Sequence, residues 1–544
     1  MTLEKHKPAL IILLYAAGIA FAVLILVVQA YSVQNISHDD GISYLAATGH
    51  QALYNNSSPS HQWTRAGSWQ AFWTPDNFWR YGTISTDLAT YDIHPPLYFW
   101  ILHTWVSIFG VTLASGPLLN MLFHIAAMLG IFLACRILKC STLTAGTAGL
   151  CWLLGGACLS VGAETRHYSA LSANTALFIA ALLYFYSRPA LISSLLLCLA
   201  GAAGLLTHYQ FILVILVCGA AAFVQFLLAK NYRPILLLAS CLFLTALIFC
   251  ALNPLFYQSF ERQSAQAQPF SWNEVPGRLH KVITAFFEIF IPLRLSLIFS
   301  DLIIQLRFML PVLVLIASCA CLAVVIIKRQ LRKNILGWLQ LPDSIPAVGT
   351  AACFCAIVIL YLLCKSPRHA MGVKYLMLVT PILFIVLGQV IEAFYSKYHK
   401  FGLIIVLLLL ASQLAYGSLT LIRVMRPSKM PAAISLLKDG DTPLVLDSAH
   451  RGVLPGILWH AHPDKPVFAS RQDSLVKDFP VLPHATKLMF VSNDIREYGN
   501  TPEGRDSLLQ CFREQGFTIM QRLEAFRGSE VYLLRKSTLD NMSR

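Results

Sequence analysis

The run Ser37-His38-Asp39-Asp40-Gly41-Ile42-Ser43-Tyr44 follows closely on an apolar segment from Ala9 to Tyr31. That segment is long enough to cross a bilayer. It lacks a small-residue cleavage pattern, so it reads as a retained helix and not as a signal peptide. Ionised carboxylates at the membrane boundary are costly unless solvated or paired. Asp39 and Asp40 open a long polar loop that closes at Tyr91-Asp92-Ile93-His94-Pro95-Pro96-Leu97-Tyr98-Phe99.

The rest of the 544 residues extends this pattern. Hydrophobic residues make up 56% and charged residues only 12%, against about a quarter charged in soluble proteins. Mean hydropathy is +0.62. Spans are expected at 9–31, 117–136, 143–161, 169–187, 190–207, 209–229, 234–252, 304–327, 347–364, 371–392 and 401–421. The fold class is therefore a polytopic α-helical membrane protein with about 11 transmembrane helices. Lys5/Lys7, Arg136/Lys139, Arg188, Lys230/Arg233, Lys328–Lys333 and Lys397/Lys400 then share one side, as cytoplasmic loops rich in Lys and Arg require. The segment 96–111 is too short for a comfortable crossing and is expected to lie on or dip into the outer face.

This topology puts loop 32–116, turn 162–168, loop 253–303 and everything after 422 on the outer side. Two domains are expected: a membrane module 1–422, with 32–116 as its outer loop, and a small α/β extracytoplasmic domain 423–544. The second has β-like runs at Leu444–Leu446, Lys487–Val491 and Glu530–Leu534, and a helical stretch at 502–514. Of the 14 cysteines only Cys511 lies in this polar region, so it has no internal disulfide. There is no CxxC pair, which argues against a zinc site. The net charge of +14 fits inside-positive loops and anionic headgroups. Nucleic-acid binding is set aside, because no basic patch is interleaved with exposed aromatics.

The outer face collects residues with chemistry. Asp39 and Asp40 are either solvated loop acids or a general base for an attacking hydroxyl. In Glu164-Thr165-Arg166-His167-Tyr168 two spans are joined with almost no loop. There Arg166 offers paired charged hydrogen bonds to a phosphate, unless it only snorkels beside Glu164. His94, ahead of Pro95-Pro96, sits where a helix would begin, a natural anion site. His208-Tyr209 occupies another outer turn. Arg368 and Lys374, with Lys365, break the charge asymmetry on the outer side, which suggests a lipid-phosphate partner. Trp63, Trp69, Phe72, Trp73, Phe78 and Trp79 are expected mainly as interfacial anchors.

The acidic pair after the first span, His94-Pro95-Pro96-Leu97, Glu164-x-Arg166-x-Tyr168 and Leu206-Thr207-His208-Tyr209 together resemble the C-type (GT-C) integral membrane glycosyltransferases. The nearest resemblance is to bacterial relatives of protein O-mannosyltransferases and to lipid A aminoarabinose transferases. It covers roughly residues 1–420. It implies a polyprenyl-phosphate sugar donor and an Asp of the first loop as base, Asp39 or, with roles exchanged, Asp40. The aminoarabinose branch has Lys before Pro, where this chain has His94.

The function this implies is inverting transfer of a sugar from polyprenyl phosphate to a glycan, lipid or protein acceptor. Asp39, Asp40 and Glu164 would be catalytic. His94, Arg166, Tyr168, His208, Tyr209, Arg368 and Lys374 would bind substrate. The place would be the bacterial inner membrane, with the N-terminus cytoplasmic, the C-terminal domain extracytoplasmic, and membrane lipids as further partners. No cofactor is established by the sequence, and a divalent cation beside Asp39 and Asp40 is left open. A transporter or flippase of a lipid-linked or anionic solute would explain the membrane charges equally well, but neither the acidic loop nor the outer domain. A structural subunit of an envelope complex would tolerate replacement of these charges.

Overall fold

The computed structural model describes residues 3–265, 272–290, 337, 339–363, 372–425, 432–482, 485–493, 499–526 and 529–537. The chain is a multi-pass helical membrane protein carrying one six-stranded sheet. Among the described residues eight helices are long and apolar enough to cross a membrane. Two shorter apolar helices are Leu97–Phe109 and Leu191–Thr207. Each expected span except 304–327, which lies outside the described residues, falls on helix. Two differ in detail. Span 143–161 is two helices, Thr142–Leu153 and Gly156–Val161, parted where Gly155 takes an extended backbone. Span 371–392 starts later than expected: Val373–Leu376 is a 3-10 turn, and the helix itself is Thr380–Lys397. Lys374 therefore sits ahead of that helix.

The helix Leu97–Phe109 has 13 residues. It rises only about 20 Å, short of the roughly 30 Å hydrocarbon core. Its length fits the surface helix expected at 96–111.

Small residues set the spacing of the bundle. A Cβ on Gly130 would lie 2.7 Å from the Cβ of Ala176, so Ser115–Ile137 and Tyr168–Ser187 approach closely. Trp152, Phe178 and Phe384 fill the bundle core.

The sheet order is β1-β3-β2-β4-β6-β5. The strands are β1 (Trp63–Arg65), β2 (Leu444–Leu446), β3 (Pro466–Ala469), β4 (Lys487–Asn493), β5 (Phe517–Phe526) and β6 (Ser529–Lys536). β2 is parallel to both β3 and β4, and the remaining pairs are antiparallel. Alternation along the strands gives the sheet two apolar faces. Leu444, Leu446, Met489 and Val491 face the first loop. Val445, Phe468 and Phe490 face Leu508 and Phe512 of the helix Pro502–Glu514.

β1 comes from the first loop, with Trp63 opposite Phe468. Loop and C-terminal region also share one core, in which Tyr44, Trp69, Phe72, Trp73 and Tyr98 pack with Leu444, Leu458 and Met489. This corrects the expectation for the loop aromatics. Trp69, Phe72 and Trp73 are buried packing between the two regions, whereas Trp79 is 78% exposed. A shared core of large aromatics fixes the loop as a rigid part of the fold.

Candidate active site

The loop after α1 (Leu3–Tyr31) turns into α2 (His38–Thr48) through a capping box. Ser37 Oγ accepts from the Asp40 N–H at 3.1 Å, and Asp40 Oδ2 accepts from the Ser37 N–H at 2.8 Å. The box satisfies two backbone donors that a helix start leaves open. The other Asp40 oxygen, Oδ1, accepts from the Thr165 N–H at 2.6 Å. Asp40 is thus buried, with both oxygens engaged by backbone N–H groups. It fastens the start of α2 to the turn that carries Glu164 and Arg166.

Asp39, one position earlier, points the other way. Its Oδ2 lies 3.1 Å from Lys374 Nζ and 3.9 Å from Arg166 Nε. Its Oδ1 lies 3.5 Å from His38 Nδ1. The His38 contact, with the Arg166 and Lys374 charges, outweighs burial and holds the Asp39 carboxyl well below the usual carboxylate range. Lys374 Nζ also comes within 3.9 Å of Glu164 Oε2 and lies over the rings of Tyr168 and Tyr375. Glu164 is half-buried. Loss of solvent raises its carboxyl, against the pull of Lys374 and with the help of the Asp40 and Asp39 charges.

Arg166 is buried. Nη1 donates to Ser43 Oγ at 3.2 Å and to the Asp39 carbonyl at 3.5 Å. Nε is buried with no hydrogen-bond partner, an open donor in a place where one is expensive to leave unmade. Asn120 Nδ2 donates to the Glu164 carbonyl, and Tyr98 O–H donates to Asn120 Oδ1. The turn is therefore held from both sides.

A second cluster adjoins the first. His94 Nδ1 lies 2.6 Å from Asp92 Oδ1. Burial disfavours the Asp92 charge, but the His94 and Arg166 charges and the Ile93 N–H prevail and lower its carboxyl. The His94 ring is 4.5 Å from that of His167, and His167 is 4.9 Å from His208. His167 is fully buried, and neither ring nitrogen has a partner. Burial first, then the neighbouring cations, pushes the His167 and His208 imidazoles toward the neutral form. Neutral rings packed this way can each offer one N–H and one lone pair.

The structure thus brings Asp39, Glu164, Arg166, Tyr168 and Lys374 to one point, with His94 and His208 beside Arg166 through His167. Tyr209 is tied elsewhere, accepting from Asn253 Nδ2 at 3.3 Å with its ring against Phe249. Arg368 lies outside the described residues. Asp92, His167 and Ser43 were not singled out from the sequence. The Ser37-x-x-Asp40 spacing was a sequence signal for Asp40's capping role. His167 had no such signal, since its position next to Arg166 does not reveal a stack of rings. Among the described residues no group of three or more His, Cys, Asp or Glu is arranged to hold a metal ion. Both Asp40 oxygens accept from backbone N–H groups, and Asp39 faces two cationic side chains.

Close packing makes the site sensitive to one methyl group. A Cβ on Gly116 would stand 2.2 Å from Thr165 Oγ1. The Gly116 N–H donates at 3.0 Å to Tyr44 O–H, which donates to the Thr112 carbonyl. Gly116→Ala must displace the Glu164–Arg166 turn, a strain of roughly 1–3 kcal/mol. The expected result is a lower thermal midpoint in detergent; an unchanged midpoint would show that the turn yields freely.

No protein-family model matches the chain, and no curated protein matches it in sequence. Solved structures do match. ArnT from Cupriavidus metallidurans bound to undecaprenyl phosphate aligns over 95% of this chain and 97% of that chain, with a TM-score of 0.51 and 13% identity. Its apo form aligns over the same shares with a TM-score of 0.50 and 14% identity. An oligosaccharyltransferase of Archaeoglobus fulgidus, in complex with Zn and sulfate, aligns over 88% of this chain and 68% of that chain, with a TM-score of 0.46 and 13% identity. The chain therefore has the fold of the C-type (GT-C) membrane glycosyltransferases.

Proposed function

We propose that the protein is an inverting glycosyltransferase that moves a sugar from a polyprenyl-phosphate donor to an acceptor at the extracytoplasmic face of a bacterial inner membrane. The N-terminus is then cytoplasmic and the C-terminal domain 423–544 extracytoplasmic. The observation that carries the reading is the division of labour in the acidic pair. Asp40 holds the backbone, while Asp39 presents its carboxylate between Lys374 and Arg166. The alignment with ArnT, solved with undecaprenyl phosphate, supports a lipid-phosphate donor.

The reaction is a direct displacement. Asp39 takes the proton from the acceptor hydroxyl or amine. The freed electron pair attacks the anomeric carbon as the bond to the phosphate oxygen breaks. Polyprenyl phosphate leaves with the electron pair of the broken bond, and the anomeric centre inverts. Arg166 and Lys374, with Arg368 and His94 in support, take up the charge that grows on the phosphate. Glu164 places Lys374. Tyr168 and His208 wall the phosphate end. No step needs a metal ion.

The His38 contact, together with both cations, leaves Asp39 a weak base in the donor-free protein, and proton transfer is best when the base titrates near the working pH. A donor phosphate gives Lys374 and Arg166 a second anion. Sharing them removes part of the pull on the Asp39 carboxyl and raises it, with the His38 contact unchanged.

The test is donor turnover. Protein in nanodiscs is incubated with a panel of polyprenyl-phosphate sugars, and release of free polyprenyl phosphate is followed for wild type and Asp39→Asn. Release by wild type alone is expected, and it names the sugar. Donor that binds and is never consumed, with any acceptor supplied, would overturn the reading.

A further inference from the structure

The sheet has a point where its chain connections diverge. From β2 the chain passes through Leu454–Leu458 to β3 on one side, whereas from β4 it continues to β5 and β6 on the other. The divergence falls between the carboxyl ends of β2 and β4, where a crevice is expected, and Asp447 beyond β2 is bonded there to Ser492 and Asn493 of β4. In α/β sheets such a crevice is where ligands bind. A cavity of about 230 Å³ lies there, reaching from Asn493 at the end of β4 and Ser529 at the start of β6 across to His38 at the start of α2.

The walls are built. Asp447, just beyond β2, is fully buried. Its carboxylate accepts from Gln472 Nε2 at 2.9 Å, Ser492 Oγ at 2.5 Å and the Asn493 N–H at 2.8 Å. Asn500 Nδ2 donates to the Asn493 carbonyl at 2.9 Å, and Asn493 Nδ2 donates to Ser529 Oγ at 3.1 Å. This network fixes the polar edge of the cavity. Opposite stand the apolar side chains of Ile36, Val453 and Ile457.

The cavity also touches the helix that carries Asp39. Added carbon at Gly41 would meet Pro455 at 3.0 Å, and at Gly452 it would meet the His38 ring at 2.3 Å. His38 stacks on His450 with ring centres 5.4 Å apart and planes 9° from parallel. His38 Nδ1 lies 3.5 Å from Asp39 Oδ1, so one wall of the cavity touches the proposed base.

We infer that this cavity is the acceptor subsite and that it takes an uncharged, hydroxyl-bearing sugar ring. The inference rests on the proposed transfer reaction and adds the class of acceptor, a neutral glycan. An apolar wall facing the amide of Asn493 and the hydroxyl of Ser529 suits the C–H face and hydroxyls of a sugar. Among the described lining residues no Lys or Arg answers a phosphate or carboxylate. The volume is just under the roughly 300–1,000 Å³ of small-molecule sites, which fits one ring with the remainder of the acceptor outside.

The test is saturation-transfer NMR on the full chain in nanodiscs. The probes are methyl glycosides of glucose, galactose and mannose, with glucose 6-phosphate and glucuronate as anionic counterparts. A neutral glycoside is expected to bind. Val453→Phe, which fills the cavity, is expected to weaken it by about tenfold or more, with undecaprenyl phosphate binding unchanged. Should Val453→Phe fail to fold, Ser529→Ala is expected to weaken the same glycoside. Affinity unmoved by the folded variant, preference for an anionic probe, or no neutral glycoside bound by wild type would each overturn the inference. Donor turnover in the same preparation separates the two readings. Donor consumed with glycoside binding unmoved by the variant removes the subsite and leaves the transferase. Glycoside binding lost on filling, without donor consumption under any condition, leaves a glycan site and removes the transferase.

Discussion

Asp39→Asn is expected to slow release of polyprenyl phosphate by roughly 10²–10⁴-fold, the usual contribution of a positioned base, while the protein stays folded and binds donor. The amide keeps the shape and removes the proton acceptor. It also removes a charge that pairs with Lys374 at 3.1 Å, so donor affinity should hold or rise. Asp40→Asn separates position from chemistry. Its carboxylate oxygens accept from the Ser37 and Thr165 N–H groups. The amide would turn an N–H₂ toward one of these donors. Loss of a cap costs about 1 kcal/mol, and facing two donors costs more. The expected outcome is a lower thermal midpoint together with lost activity.

The same geometry predicts the acid side of the pH profile. The Asp39 carboxyl is lowered, so it stays charged as pH falls, and its favourable pairing is lost only below the ordinary carboxylate range. The pH dependence of kcat/KM, which reports the donor-free enzyme, should carry no acid limb from Asp39 between neutrality and about pH 5. Glu164 is raised by burial and protonates first as pH falls. An acid limb that persists in Glu164→Gln and has its midpoint near neutrality would mean that Asp39 is not held as the structure holds it.

The architecture of the chain was legible because it rests on local signals. Apolar length marked the helices. Alternation in Leu444–Leu446 and Lys487–Val491 marked the strands that became β2 and β4. What escaped depends on distant pairing. β1 is three residues of a tryptophan-rich loop, and only Phe468, Val467 and Pro466 make it a strand. The loop tryptophans looked like membrane anchors because their partners, such as Trp459 stacked on Trp73, lie at the far end of the sequence. Lys374 stood out as a positive charge on the wrong side, and folding carries it across 335 positions to Asp39. His167 carried no pattern at all, because a ring stack is assembled from three separate turns.

Arg166→Lys is expected to lose roughly 10²–10³-fold in turnover, the scale of one preorganised donor at a developing oxyanion, although the charge is kept. The guanidinium serves several partners from one buried position: Nη1 donates to Ser43 Oγ and the Asp39 carbonyl, and Nε, 3.9 Å from the Asp39 carboxylate, makes no hydrogen bond. An ammonium is a point charge without that fork. It can keep the pairing with Asp39 or reach the donor phosphate, not both. Removing the charge is a different experiment. Arg166→Ala leaves Asp39 and the buried Asp92 short of a cation, a loss that solvent lessens at Asp39, whose side chain is 36% exposed. The lysine variant should therefore fold and bind donor weakly, while the alanine variant should lose stability as well. A double-mutant cycle with Asp39→Asn reads the coupling directly. If Arg166 acts on the phosphate and not only on Asp39, Arg166→Lys must still slow donor release in the Asp39→Asn background. Were the two substitutions together no worse than Asp39→Asn alone, Arg166 would be a holder of the base and the phosphate would have to be met by Lys374.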